Sequence, residues 1–383
     1  MKILIIGGIA SSLINFRGDL IKDIIKDGHV VHTASGETSK KLAEKLYSMG
    51  VIHHPLHLKR TNISIIENFR LFIEILFLCI EYKPDIVLCY TIKPSTIGVL
   101  AAHFAKIKNI KVMITGLGYT FEHENTKKFI IFNLVKILYR ISLRYCNLVI
   151  FQNAKDREIF LKTKILTKKA KICLINGSGV DIEKFKPMNF PKVVGFLMIG
   201  RLLKTKGVEE YIDASRIIKK KYPKINIYLL GDIDSNPESI SKEKTKEWIE
   251  EGIVSFSNWV EDVRPFLEKC SVYVLPSYRE GLPRTVLEAM ACGRPIITTN
   301  TAGCEETIIL EKDSKIIGIN HAKKGKNGIL IPVKSVKSLR DAMEYFIINS
   351  KEIPLMGRYS RESAVEKFDV KIINEKMKEY LGL

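Results

Sequence analysis

Short apolar runs alternate with helix-length amphipathic segments along the whole of this 383-residue chain. That alternation restricts the chain to βαβ units, because two parallel strands need a crossover, and a helix is the usual one. In the first half the pattern predicts strands at 2–6, 30–34, 86–90, 111–115, 148–152 and 171–174, with a helix at 16–27 that stops at Gly28. In the second half it predicts strands at 194–199, 226–231, 254–256, 272–275 and 295–299, and helices at 208–222, 263–270, 282–291 and 338–349. A last amphipathic segment covers 360–381. The stretch KFKPMNFPKV at 184–193 has two prolines and no apolar periodicity, and it divides the two series. The expected organisation is an α/β chain of two Rossmann-like, doubly wound parallel-sheet domains facing a cleft. These are residues 1–190 and 191–360, with 361–383 forming a C-terminal helix that packs back on the first domain. In such sheets ligands bind beyond the carboxyl ends of the strands. Glycine-containing turns stand at three such ends, after Ile6, Ile199 and Leu230.

Charge narrows the partners. The formal net charge is +19. Residues 1–190 hold 29 Lys and Arg against 15 Asp and Glu, while residues 191–383 hold 32 against 27. A lopsided basic half implies an anionic partner: nucleic acid, an anionic membrane or a phosphorylated substrate. No RNP, zinc-finger or KH signature supports nucleic acid. The seven cysteines form no C-x-x-C pair and no zinc spacing, and most lie in apolar runs such as LFLCIEY. They read as reduced thiols of a cytoplasmic protein. The N-terminal apolar run is only Ile3–Ile6, a strand rather than a leader. The richest stretches, near 65–80 and 129–143, are interrupted by Glu74 or by Lys136 and Arg140, and neither reads as a spanning helix.

The chemistry concentrates in Glu280-Gly-Leu-Pro-Arg-Thr-Val-Leu-Glu288, which follows an apolar run and opens a helix. Backbone N–H groups at such a start can hold a phosphate oxygen. The two carboxylates have only acceptor sites, which suits sugar hydroxyls. A second segment, Gly200-Arg201-Leu-Leu-Lys-Thr-Lys206-Gly207, brings two cations to another strand end. Cations there would stabilise the charge that develops on a departing diphosphate, and could stand in for a metal ion. Asp232-Ile-Asp234 has the DxD spelling of a metal motif but reads equally as a turn.

Arg201, Lys206 and the Glu280/Glu288 pair occur in an order and spacing that resembles glycosyltransferase family 4, with its two-domain GT-B fold. Asn176-Gly-Ser-Gly-Val-Asp181, Gly231-Asp232, Asn258-Trp259-Val260-Glu261-Asp262-Val263 and Met290-Ala-Cys-Gly-Arg-Pro295 agree, so the resemblance covers essentially the whole chain. It implies a retaining transferase that uses a nucleotide-sugar, with UDP the nucleotide and an N-acetylhexosamine the sugar, and with no metal or other cofactor. Arg201 and Lys206 would take the diphosphate, and Glu280 the donor sugar together with backbone from Gly281, Leu282 and Pro283. Glu288 would take the ribose, Gly200 would line the donor site, and backbone at Trp259–Val260 would meet the base.

In the first half Asn15-Phe16-Arg17, His57-Leu-Lys59-Arg60, Tyr90-Thr-Ile-Lys93-Pro94 and Thr115-Gly-Leu-Gly118-Tyr119 are similar to a subgroup that builds bacterial surface polysaccharides and protein glycans. That subgroup includes N-acetylgalactosaminyltransferases acting on bacillosamine-type diphospho-undecaprenol. The resemblance implies acceptor contacts at Asn15, Arg17, Lys93, Gly118 and Tyr119, and a polyprenyl-diphosphate-linked sugar as acceptor. Gly118 stands where many members carry a histidine, and the nearest histidine is His123, so the catalytic partner in this half stays open. Segment 127–145 spaces Lys136, Arg140 and Arg144 by four among Phe, Ile, Leu and Val. It reads either as a helix lying on an anionic membrane or as a buried helix with snorkelling cations. The expected site of action is the cytoplasmic face of the cell membrane, with peripheral attachment. A soluble acceptor and a nucleic-acid-binding role are the alternatives.

Overall fold

A parallel sheet must be covered on both faces, and the strands of this chain are apolar on both. The structure is a computed structural model that describes residues 1–59, 64–117, 126–166, 170–233, 238–311, 316–317 and 322–383. The chain divides into two compact units: Met1–Ser178 with Lys371–Leu383, and Gly179–Val370.

In the first unit β1 (Lys2–Ile9), β2 (Val30–Gly36), β3 (Ile52–Pro55), β4 (Ile86–Tyr90), β5 (Ile110–Ile114), β6 (Leu148–Phe151) and β7 (Ile172–Leu174) form one parallel sheet in the order 3-2-1-4-5-6-7. Alternation along β1 sends Ile3 and Ile5 to one face and Leu4 and Ile6 to the other. The first face packs under α1 (Ala10–Lys26), α2 (Lys40–Ser48) and the C-terminal helix Val370–Leu381, through Leu13, Leu20, Ile24, Leu46, Ile373 and Met377. The second packs under α3 (Ile65–Tyr82), a π-helical turn (Pro94–Gly98) running into α4 (Val99–Phe104), α5 (Thr126–Ser142) and α6 (Ala154–Lys162). Side-chain caps fix the starts of three helices: Ser39 accepts from Leu42 N–H, Ser64 from Glu67 N–H and Asn153 from Asp156 N–H.

The second unit contains β8 (Gly195–Ile199), α7 (Val208–Lys221), β9 (Asn226–Leu230), α8 (Lys242–Glu250), β10 (Ser255–Ser257), α9 (Arg264–Lys269), β11 (Val272–Leu275), α10 (Arg284–Ala291) and β12 (Ile296–Thr299). Then come β13 (Ile316–Ile317), β14 (Ala322–Lys324), β15 (Gly328–Ile331), α11 (Val336–Ile348) and α12 (Ile353–Phe368). The sheet order is 10-9-8-11-12-15-14-13. Six strands run parallel, and β14 is antiparallel to both its neighbours. This sheet is therefore mixed at one edge rather than parallel throughout.

Three expectations are corrected. The first helix begins at Ala10 rather than near Phe16, because β1 continues through Gly7 and Gly8 to Ile9, with a shift of register against β2 between Ile6 and Ile9. A Cβ on Gly7 would stand 2.4 Å from the Tyr90 hydroxyl, so these glycines permit close strand packing and do not mark a turn. The segment 184–193 belongs wholly to the second unit. The buried Arg294 donates to the carbonyls of Met188 (3.2 Å) and Asn189 (2.8 Å), and its guanidinium lies 4.6 Å from the Phe190 ring centroid. The chain therefore changes unit at Ser178/Gly179. It changes back at Val370/Lys371, inside the segment read as one helix, which breaks at Asp369 into α12 and α13 (Val370–Leu381).

Candidate active site

The strand order of the second sheet reverses between β8 and β11, and their carboxyl ends form its topological switch point. Both charged motifs start there. Gly200–Gly207 leaves β8 and enters α7, while Pro276–Pro283 leaves β11 and enters α10. The two loops are bonded together: Tyr278 N–H donates to the Thr205 carbonyl (2.9 Å) and Ser277 Oγ to the same oxygen (3.2 Å). Gly207 has φ +72°, and a Cβ there would stand 2.2 Å from the Pro276 carbonyl oxygen. Only glycine fits this contact without moving backbone.

The side chains converge as the loops do. The Lys206 ammonium donates to Glu280 Oε1. Arg201 is exposed at the end of β8, one residue beyond Gly200. Glu288 receives the Arg284 guanidinium at 3.1 Å one helical turn away. Burial raises the Glu288 carboxyl, against the opposing charge and hydrogen bond of Arg284. The buried Tyr273 phenol donates to the Ile199 carbonyl (3.1 Å), and the negative charges of Glu288 and Glu280 both act on it. Gly281 and Pro283 are buried and Leu282 packs on the core, which fixes the turn. Helix α10 begins at Pro283 with no side-chain cap, so its first-turn amides suit an oxyanion. Val260 packs against the core beside the exposed Trp259, whose N–H donates to Asp232 Oδ1 at 2.9 Å. Asp232 thus braces the loop nominated to meet a base.

In the first unit the corresponding reversal lies between β1 and β4. Tyr90 Oη and Ser12 Oγ are 2.8 Å apart, and Thr91 adopts φ +70°. Arg17 is buried, its guanidinium carbon 5.3 Å from the Tyr90 ring centroid. Lys93 is half-buried, and burial lowers its ammonium pKa while Glu67 opposes that. Asn15 is exposed in the second turn of α1. Gly118, Tyr119 and His123 lie outside the described residues.

Sequence reasoning missed the third loop of the donor-side site. Glu280 N–H donates to the Ala302 carbonyl (3.2 Å) after β12, and a Cβ on Gly303 (φ +77°) would stand 2.4 Å from the Gly281 carbonyl oxygen. The signal was present as Thr298-Thr-Asn-Thr-Ala-Gly303, a small-residue run ending a strand.

Residues 181–363 match the family described as glycosyl transferases group 1, and residues 2–153 match the family described as glycosyl transferase 4-like. The chain is 30% identical over 325 residues to the N,N'-diacetylbacillosaminyl-diphospho-undecaprenol alpha-1,3-N-acetylgalactosaminyltransferase of Campylobacter jejuni, covering 80% of this chain and 83% of that one. It is 25% identical over 327 residues to the UDP-Gal:alpha-D-GlcNAc-diphosphoundecaprenol alpha-1,3-galactosyltransferase of Escherichia coli, covering 81% and 78%. The Anabaena protein HepE, solved in complex with UDP, matches over 100% of both chains with a TM-score of 0.74 at 19% identity, which is a likeness of fold. By this combination of profile, relative and fold, the chain belongs to the group 1, 4-like glycosyltransferases, enzymes of the GT-B type.

Proposed function

We propose that the chain is a retaining glycosyltransferase that moves an N-acetylhexosamine from a UDP-sugar to a polyprenyl-diphosphate-linked sugar at the cytoplasmic face of the membrane. The observation that carries this reading is the Lys206–Glu280 pair at the switch point of β8 and β11, with Arg201 in the same loop as Lys206. The Campylobacter and Escherichia relatives are transferases of diphospho-undecaprenol-linked sugars, which suggests the acceptor class, and the Escherichia enzyme uses UDP-Gal, which suggests UDP.

In this reading Arg201 and Lys206 neutralise the diphosphate as the bond from the anomeric carbon to the phosphate oxygen breaks. They act most strongly on the charge that grows in the transition state. The Glu280 carboxylate accepts hydrogen bonds from the donor sugar, and Glu288 accepts them from the ribose. Gly200, Gly281, Leu282, Pro283 and Val260 shape the pocket through backbone. In this reading the acceptor hydroxyl enters on the face from which the diphosphate leaves, which keeps the anomeric configuration. Its oxygen bonds to the anomeric carbon and its proton passes to the departing phosphate oxygen. The chain therefore needs no separate base and no metal. Asn15, Lys93, Gly118 and Tyr119 serve the acceptor, and Arg17 serves it through the Tyr90 ring that it underlies.

The test is a thermal-shift comparison of UDP, GDP, CDP, ADP and dTDP in EDTA. A ligand that binds only the folded state stabilises it by about 2.7 kcal/mol at a hundredfold excess over its Kd. A shift with UDP alone, followed by transfer from a UDP-N-acetylhexosamine with the anomeric configuration kept, is expected. A shift with another nucleotide changes the donor, and no shift with any of them removes the reading.

A further inference from the structure

A helix that covers a sheet needs one apolar stripe, whereas α3 and α5 each carry two. In α3 the stripe on the sheet contains Leu71, Ile75, Leu78, Cys79 and Tyr82, all buried. A second stripe, Ile66, Phe69, Ile73, Phe77 and Ile80, repeats at three- and four-residue steps on another side. Ile66, Phe69 and Phe77 are 81, 64 and 63% exposed. In α5 Phe132, Val135 and Tyr139 are buried, while Ile130, Leu134, Ile137 and Ile141 follow the same steps at between 43 and 63% exposed.

Aromatic contacts link α3 to α4, and α4 to the turn Leu143–Tyr145 that follows α5. The Phe69 and Phe72 rings lie 6.4 Å apart, Phe72 meets the edge of Phe104 at 5.8 Å, and His103 stacks on Tyr145 at 3.9 Å. Phe104 is 66% exposed. Exposed Arg70, Lys106, Lys108 and Arg144 stand beside these rings in sequence. Two cations are engaged within the fold: Arg70 pairs with Glu74 (3.1 Å) and meets His57 (2.8 Å), and Arg140 donates to the carbonyls of Thr163 (3.0 Å) and Lys164 (2.7 Å) and so secures the end of α6. Exposed rings and aliphatic side chains gathered on neighbouring helices mark an interaction surface. Among the described residues no helix is long and apolar enough to cross a membrane. Helix α3 also carries Glu67, Arg70, Glu74 and Glu81, so its apolar side suits the plane of an interface.

We propose that the α3–α4–α5 face is a docking surface for an anionic lipid bilayer, with Phe69, Phe77, Phe104 and Tyr145 entering the interface and Lys106, Lys108 and Arg144 meeting lipid phosphates. The choice of a bilayer rests on this charge, on the excess of 29 basic over 15 acidic residues in 1–190, and on the lipid-linked acceptor proposed above. Exposed cations next to exposed rings in sequence suit a phosphate layer over hydrocarbon.

The experiment is co-sedimentation of the full chain with phosphatidylcholine vesicles, with and without phosphatidylglycerol, at about 0.15 M salt. The variants are Phe69→Ser/Phe104→Ser and Lys106→Gln/Lys108→Gln. The wild type is expected to sediment only with the anionic vesicles. Partitioning should fall at least ~10-fold in the Phe pair, where two buried rings are lost, and less in the Lys pair. The UDP-induced thermal shift should be unchanged in both, which shows that the fold is kept. No binding by the wild type, or equal binding by the Phe pair, overturns the proposal. So does a wild-type dimer that the Phe pair dissolves without any vesicle binding, since the face would then belong to a second copy. Vesicle binding lost in the Phe pair from a wild type that shows no UDP shift keeps the docking surface and sinks the transferase reading alone.

Discussion

Lys206 and Glu280, proposed to hold the diphosphate and the sugar of one donor, are bonded to each other. An incoming diphosphate must draw Lys206 away from Glu280, and the freed carboxylate is then taken up by sugar hydroxyls. Free UDP carries no such hydroxyls, so it meets this competition without return. Glu280→Gln is therefore expected to slow transfer by ~100-fold or more and yet to bind free UDP several-fold tighter by titration calorimetry. Unchanged or weaker UDP binding would remove the competition from the mechanism. Glu288 offers a pH test. Burial raises its carboxyl and Arg284 opposes that, so UDP affinity should fade as acid protonates Glu288. In Arg284→Gln that acid limb of UDP affinity, measured between pH 5 and pH 8, should move upward, and Arg284→Lys should restore most of it. An unmoved limb would leave Arg284 a packing residue only. Arg201, Lys206 and Glu280 stand out in the sequence as candidates because charge at the end of an apolar run has few structural reasons to be there, and Glu288 because it follows Glu280 at the spacing of the resemblance. The Arg284 partnership was spelled out as an i,i+4 pair but went unread beside the sharper motif. The burial of Arg17 depends on Tyr90, 73 positions away in sequence and brought close only by pairing of β1 with β4.

Among the elements, the β2–β3 edge carries a pH response of its own. His53 is buried between Thr33 Oγ1 and Thr38 Oγ1, each 3.0 Å from one ring nitrogen, and His32 Nδ1 lies 3.0 Å from His54 Nε2. Burial first, and then the charge of His54, pull His53 down to about 4, and His32 falls to about 4 for the same reasons with Lys2 adding to them. The unfolded chain takes up these protons below about 6.5, and the fold does not until near 4. Their contribution to stability is thus whole above pH 6.5 and is lost as pH falls towards 4. The melting temperature is expected to drop more between pH 7 and pH 5 for the wild type than for His53→Gln. Equal slopes would assign acid sensitivity elsewhere. This edge was also the hardest to read. The strand Ile52–Pro55 breaks its apolar pattern with two histidines, whereas Ile86–Tyr90 and Val272–Leu275 were read to the residue because uninterrupted apolar runs suit a strand buried on both faces. Strand β14, three residues of which two are lysine, escaped for the converse reason, since so short a run shows no apolar period.

At the scale of the molecule, βαβ alternation was enough to expect two doubly wound sheets, because each crossover is written locally. The path of the C-terminus was not, since it depends on which surface a helix finds. Helix α13 places Ile373, Met377 and Leu381 in the core of the first unit, donates from Asn374 to Asp23 (2.6 Å), and pairs Lys378 with Asp27 (2.8 Å). Burying each such apolar side chain contributes about 1.5–3 kcal/mol. A chain ending at Val370 should therefore melt in two steps by calorimetry, with the first unit lowered and the UDP-induced shift of the second retained. An unchanged single transition would show that α13 adds nothing. The second unit, for its part, enters and leaves at one place. Val180 N–H donates to the Phe368 carbonyl (2.8 Å) and Val370 N–H to the Val180 carbonyl (3.0 Å). Its two ends are thus neighbours, and everything between them is an insertion in a first unit that is completed by sequence from both termini. A body attached in this way can be exchanged as a cassette through a single seam, by recombination in a genome or at the bench, and such a seam is where chimaeras between relatives should be joined.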